Sequence, residues 1–165
     1  MLMIPSTYYL PTPDSLQANN NLSHLLRQAL ASINAMLNEQ SAPLGLTAMQ
    51  WRPLVLIRYA GLDTAGELAR RENTDTGAMT RTLDRLEAKG LLYRERCPID
   101  RRVMKLKLSP TGENVCEAIL PLVADSLNLH VAGFSDDEIQ LCLRLLQRII
   151  ANGALATETS TRPQV

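Results

Sequence analysis

The sequence predicts a mostly helical protein with one small β-hairpin, and three observations carry that prediction. Apolar residues make up 45% of the 165-residue chain and aromatics only 4%, so the core must come mostly from Leu, Ile, Val, Ala and Met, which favours helices. Helix starts are legible as capping boxes, in which a hydroxyl and an acid or amide three residues later satisfy orphaned backbone N–H groups. They occur at Thr47–Gln50, Thr64–Glu67 and Ser135–Glu138, each at the head of an apolar-periodic run. Within residues 91–108, finally, the period changes from helical to alternating. One compact unit is expected at this length.

Residues 1–14, with three prolines, read as an extended arm. A first long helix is expected over about 15–40, with Leu22, Leu25, Leu26, Ala29, Ile33, Met36 and Leu37 on one stripe, ended by APLG. A second runs from Ala48 to about Tyr59, where Pro53 removes an internal hydrogen bond and predicts a kink. A third covers 65–72 and a fourth 76–89, closed by Gly90. In VMKLKL, Met104, Leu106 and Leu108 point one way and Lys105 and Lys107 the other, the pattern of a half-buried strand. LLYRERC is its expected partner, with Arg94 and Arg96 on one face, so PIDRR at 98–102 is the tip of a hairpin. Ser109-Pro110 is a cap followed by proline at the first helical position and starts a fifth helix over 110–132. A sixth covers 136–152, and from 154 to 165 the chain reads as a disordered tail. Val115, Ile119, Leu122 and Val123, then Ile139, Leu143, Leu146 and Ile149, form the stripes of these last helices. Two short helices followed by a β-hairpin are the layout of a winged helix-turn-helix, here flanked by long helices.

Seventeen basic and seventeen acidic side chains cancel over the chain, yet they are not evenly spread. Residues 81–107 hold nine Lys/Arg against four Asp/Glu, a net of +5 that leaves −5 elsewhere. This is either a solvated face or a local anion-binding surface. Cys97, Cys116 and Cys142 are scattered without C-x-x-C spacing, so neither a zinc site nor a disulfide framework is indicated, and a reducing cytoplasm fits. The N-terminus lacks a basic start and an unbroken apolar run, and nothing later reaches the length of a membrane span. His24 and His130 lie far apart with no nucleophile or metal-ligand spacing, and there is no phosphate-cradling glycine loop, so an enzyme, a metal or a cofactor is not expected.

At about 100° per residue, Met79, Leu83 and Leu86 fall on one side of the fourth helix, and Gly77, Thr80, Arg81, Asp84, Arg85 and Ala88 on the other. The second face suits groove reading: small residues allow close approach, Thr80 can bond a phosphate or base, and arginine can bind guanine O6 and N7 together. The plainer alternative is a solvated helix with Asp84 paired to Arg81 or Arg85. An arginine on a thin ribbon suits the minor groove, whose negative potential grows as it narrows. Asp100 then accepts hydrogen bonds from tip backbone groups or a neighbouring guanidinium and holds Arg102 in place. An ordinary polar turn is the alternative there.

LTAMQW, followed by ELARRENTDTGAMTRTLDRLEAKGLLYRERCPIDRRVMKLKLSPTGE, resembles the MarR family of bacterial transcription regulators. The match covers roughly residues 46–113 and includes the E-L-A helix, the G-A-x-T-R-x-L-D-R-L-E-x-K-G-L recognition helix and a D-x-R wing. The resemblance implies a winged DNA-binding region over 46–109 between dimerisation helices at 15–45 and 110–153. It implies DNA contacts from Thr76, Gly77, Thr80, Arg81 and Arg85 on the recognition helix. It further implies contacts from Asp100, Arg101, Arg102 and Lys105 on the wing, with Arg102 in the minor groove. An obligate homodimer on a pseudo-palindromic operator follows, acting as a repressor and released by a small aromatic or phenolic ligand. The expected cleft lies between dimer helices and winged domain, with His24, Trp51, Arg58 and Tyr59 as candidate lining. Two other readings stay open: a winged helix used for protein–protein contact, and a cysteine-based redox sensor. The second fits less well because no cysteine lies near the start of the first helix and Cys97 has no activating helix terminus.

Overall fold

Asn21, rather than Ser15, starts the first long helix. The structure, a computed structural model, describes residues 8–17 and 21–160, and the remainder of the expected arm and tail lies outside them. Asn21 Oδ1 accepts the backbone N–H of His24 at 3.0 Å, which fixes α1 to Leu22–Ser41. The preceding Pro13–Leu16 forms a single 3-10 turn instead of the first helical turn, and the Leu22 N–H donates to Tyr9 Oη at 3.1 Å. The expected range began ahead of the apolar stripe, whose first residue, Leu22, is the first of the helix, and the Asn21 cap sets the boundary.

The next elements follow their predicted starts closely: α2 spans Ala48–Ala60, α3 Ala65–Arg71 and α4 Thr76–Ala88. Gln50 Oε1 accepts from the Thr47 N–H, and Glu67 accepts from Thr64 while its own N–H donates back to Thr64 Oγ1. Pro53 is buried inside an unbroken α2. Strands β1 (Leu92–Arg96) and β2 (Met104–Leu108) pair antiparallel, with Leu92 opposite Leu108, Arg94 opposite Leu106 and Arg96 opposite Met104. One face of the hairpin therefore carries leucines and the two arginines together. Leu37, Trp51, Leu54, Leu68, Leu83, Leu86, Leu92, Leu106 and Ile119 meet in the core, which is aliphatic as the composition requires.

Helix α5 spans Pro110–His130 and α6 Asp136–Ser160. The chain divides into two compact units, one ending at Ser126 and the other beginning at Leu127. In the second, Ser135 and Glu138 form the expected capping box, and Ser135 N–H and hydroxyl hold the Glu138 carboxyl below its ordinary range. Helix α6 continues to Ser160, so the tail expected from 154 is helical for its first seven residues. Ala154, Leu155 and Ala156 carry the helix past a glycine whose penalty is only about 1 kcal/mol. Among the described residues no helix is long and apolar enough to cross a membrane.

The junction between hairpin and α5 leaves no room for a side chain at Gly112. Ser109 Oγ donates to Gly90 O at 2.6 Å and accepts the Gly112 N–H at 3.0 Å, so one hydroxyl caps α5 and ties it to the end of α4. A Cβ on Gly112 would lie 1.9 Å from the Leu91 carbonyl oxygen, which is backbone and cannot swing aside. Gly112→Ala is therefore expected to lower the unfolding free energy by about 3 kcal/mol, at the upper end of overpacking costs. Urea denaturation of purified Gly112→Ala beside wild type checks this; an unchanged midpoint would show that α5 can slide off Leu91 freely.

Candidate nucleic-acid interface

Asp75 caps α4, its Oδ1 accepting the Ala78 N–H at 3.0 Å, and Met79, Leu83 and Leu86 are buried beneath the helix. The opposite side presents Thr76, Gly77, Thr80, Arg81, Asp84, Arg85 and Ala88, all exposed. This is the division the helical period predicts. Thr80 Oγ1 donates to Thr76 O at 2.8 Å, which leaves the hydroxyl oxygen outward as an acceptor.

The decisive geometry concerns Asp84. Neither Arg81 nor Arg85 takes it: Asp84 Oδ1 lies 2.8 Å from Arg94 Nη2 on β1. The other guanidinium nitrogen of Arg94 pairs with Glu87, whose second oxygen accepts the Arg94 backbone N–H at 3.2 Å. The two acids of the recognition helix are thus turned sideways onto the hairpin. Arg81 and Arg85 are left exposed with no ion-pair partner among the described residues.

The basic side chains of residues 81–107 are not all free to meet a partner. Arg94 is committed as above, Lys107 pairs with Glu95 at 2.6 Å, and Lys89 donates to Gln50 Oε1 and Gly45 O. Lys105, expected on the wing surface, instead has its ammonium 2.5 Å from Asp63 Oδ1, and that hydrogen bond keeps it protonated above its ordinary range. Asp63 O also accepts the Leu106 N–H at 2.7 Å, so the α2–α3 connection grips β2 through side chain and backbone. The exposed cations of this segment without a side-chain hydrogen bond or ion pair among the described residues are Arg81, Arg85, Arg96, Arg101 and Arg102, all arginine.

At the hairpin tip the Val103 N–H donates to Asp100 O at 3.0 Å and the Arg102 N–H to Asp100 Oδ1 at 3.0 Å. Asp100 closes the turn through both its carbonyl and its side chain, an Asx-type bond that fixes the backbone of Arg101 and Arg102 while both side chains stay exposed. Of its two expected partners, backbone or guanidinium, the structure shows the backbone.

A family model for the MarR family matches residues 46–104. The multiple antibiotic resistance protein MarR of Escherichia coli K12 is 34% identical over 130 residues, covering 78% of this chain and 90% of that protein. The chain belongs to the MarR family. The Salmonella typhimurium MarR protein is likewise 34% identical over 130 residues. A crystal structure of a mutant E. coli MarR complexed with operator DNA superimposes with a TM-score of 0.72 at 33% identity, over 78% of this chain and 92% of that one.

Of the four residues expected to line a ligand cleft in this MarR-family protein, the structure brings Arg58 and Tyr59 into contact. Trp51 is a core residue, 9% exposed, with the Arg52 guanidinium 5.6 Å from its ring centroid. His24 is half-buried in the first turn of α1, and Tyr59 is exposed beneath the Arg58 guanidinium. Arg58 alone borders a depression of about 480 Å³, shared with Ile57, Asp63, Tyr93, Lys107 and Glu113. It is bound to Glu113 at 3.2 Å and Glu117 at 2.8 Å on α5. Sequence reasoning missed Arg94 and Asp63. The alternation that places Arg94 on the leucine-bearing face of β1 was the available signal, because a cation there must meet acids from α4.

Proposed function

We propose that this protein is a sequence-specific, DNA-binding transcription regulator that works as a homodimer in the cytoplasm. The observation that carries the reading is the pair of unengaged guanidinium groups of Arg81 and Arg85 on the outward face of α4, freed because Arg94 holds Asp84. A helix of this kind enters the major groove, and its arginines read guanine through paired hydrogen bonds. Thr76, Gly77 and Thr80 sit at the N-terminal end of the same face, where close approach to the duplex is needed. Arg102, with Arg101, is carried into the minor groove by the tip that Asp100 closes. Lys105 acts at one remove, through its bond to Asp63.

Dimerisation is supported by apolar side chains that the folded chain leaves uncovered. Leu22, Leu25, Leu26 and Leu30 are exposed on α1, and within the second unit Leu141, Leu143, Leu145 and Ile150 are exposed on α6. Two-fold pairing of such chains places the recognition helices about one turn of DNA, roughly 34 Å, apart, so a pseudo-palindromic operator follows. Repression by occlusion of a promoter, relieved by a small ligand, is the mode this architecture serves. Because Arg58 is already matched by Glu113 and Glu117, the depression beside it suits a neutral phenol better than an aromatic carboxylate. A redox switch at Cys116 is less well supported, since burial pushes its thiol up to about 11 and so keeps it protonated.

The test is fluorescence anisotropy against DNA from upstream of the protein's own gene and against scrambled duplex at two salt concentrations. Sequence-preferring binding that weakens steeply with salt is expected. Arg102→Ala should weaken it by more than about tenfold with the dimer mass unchanged. Equal affinity for both duplexes at both salts would favour a protein-binding winged helix instead.

A further inference from the structure

The wing tip carries one side chain that the arginine scheme leaves unused. Ile99 is 96% exposed, more than any other large hydrophobic side chain among the described residues, and it contributes no burial to the fold. A lone exposed apolar residue is ordinary on a protein surface. This one occupies a built position. The Cys97 N–H donates to Val103 O at 2.9 Å and closes the ribbon, and Asp100 fixes the turn that follows. Ile99 therefore projects from the end of the hairpin, with only Asp100 between it and Arg101 and Arg102, whose guanidinium groups have no ion-pair partner among the described residues.

Whatever receives Arg102 also receives Ile99. The minor groove has walls of deoxyribose methylene and methine groups, which an aliphatic side chain can cover. Its floor discriminates only by one group: A·T pairs present acceptors alone, whereas G·C adds the guanine 2-amino donor. An isoleucine pressed toward that floor offers the amino group no acceptor and displaces the water that would otherwise bond it, so G·C is penalised and A·T tolerated. A·T-rich steps also narrow the groove, improving the fit for the neighbouring arginine. Apolar side chains of this type are used by minor-groove proteins against base steps.

We propose that Ile99 is a specificity-determining residue that makes apolar contact in the minor groove beside Arg102 and selects A·T over G·C base pairs under the wing. The proposal rests on the DNA-binding reading above and assigns the part of the site that reads sequence away from α4.

The experiment uses the full-length protein and a duplex selected from a random library, with the wing position located by hydroxyl-radical footprinting. At that position A·T is replaced by G·C and by inosine·C, which keeps the G·C hydrogen bonds in the major groove but lacks the 2-amino group. Wild type is expected to lose about tenfold in affinity with G·C and to recover with inosine·C. Ile99→Ala should bind the A·T duplex about fivefold to tenfold more weakly, as loss of most of an aliphatic contact implies. It should also discriminate A·T from G·C by less than about twofold. Because Ile99 is 96% exposed, the melting temperature of Ile99→Ala should match wild type. If Ile99→Ala binds and discriminates as wild type does while Arg102→Ala is impaired, this proposal is overturned and the DNA-binding reading stands. Failure of wild type to select any duplex overturns both, and a changed dimer mass with unchanged DNA affinity would make Ile99 a contact between copies of the chain instead.

Discussion

Replacing Arg81 and Arg85 together by alanine should lower affinity for the specific duplex by at least about thirtyfold, since each paired arginine–guanine contact contributes about 1–3 kcal/mol of discrimination. Affinity for scrambled DNA should fall far less, because phosphate attraction from the wing arginines persists. Both side chains are exposed and have no partner among the described residues, so the unfolding midpoint should move within the small range of surface substitutions. The single variants separate the roles. Arg81→Ala and Arg85→Ala should each relax preference at a different base pair, which selection from a randomised half-site would read directly. A uniform loss across all sequences, with a shallower salt dependence, would instead place both residues on phosphates.

Much of this arrangement was legible in the chain, and the limits of that legibility are physical. The order of elements, the inner and outer faces of α4 and the wing tip all follow from short-range rules: capping boxes, helical spacing and strict alternation. These act over a few residues and are written where they act. Asn21 shows the first limit, because the expected range of α1 began at about 15, ahead of both the apolar stripe and the cap that sets the boundary. The second limit is pairing across distance. A charge count between Arg81 and Lys107 cannot say which groups meet: Arg94 joins Asp84 and Glu87, Lys105 joins Asp63 and Lys107 joins Glu95. Lys105 and Asp63 are 42 residues apart, and only the folded chain brings them together. The ligand cleft was the least legible part. Trp51 fills the core while Arg58 lines an open depression, so proximity in the sequence did not translate into a shared wall.

Arg94 yields the second large effect, and it acts without touching DNA. Its guanidinium, about three-quarters buried, joins Asp84 and Glu87 and so fixes the wing against the recognition helix. In Arg94→Met two carboxylates are released on the face presented to the duplex. Asp84, three residues after Arg81 and next to Arg85, then competes with DNA for the recognition arginines, and its charge opposes the phosphates. Specific affinity should fall by about tenfold to a hundredfold, consistent with the several kcal/mol that like-charge juxtaposition across an interface can reach. Adding Asp84→Asn removes the competitor, so the Arg94→Met/Asp84→Asn protein should regain most of the lost affinity, and the coupling in the double-mutant cycle measures the brace. A direct phosphate contact by Arg94 predicts the opposite pattern: no rescue by Asp84→Asn, and a salt dependence reduced by about one unit in both variants. Rescue, then, separates a positioning arginine from a reading one, and the ion pairs that remove Arg94 from the surface are what leave Arg81 and Arg85 free to read.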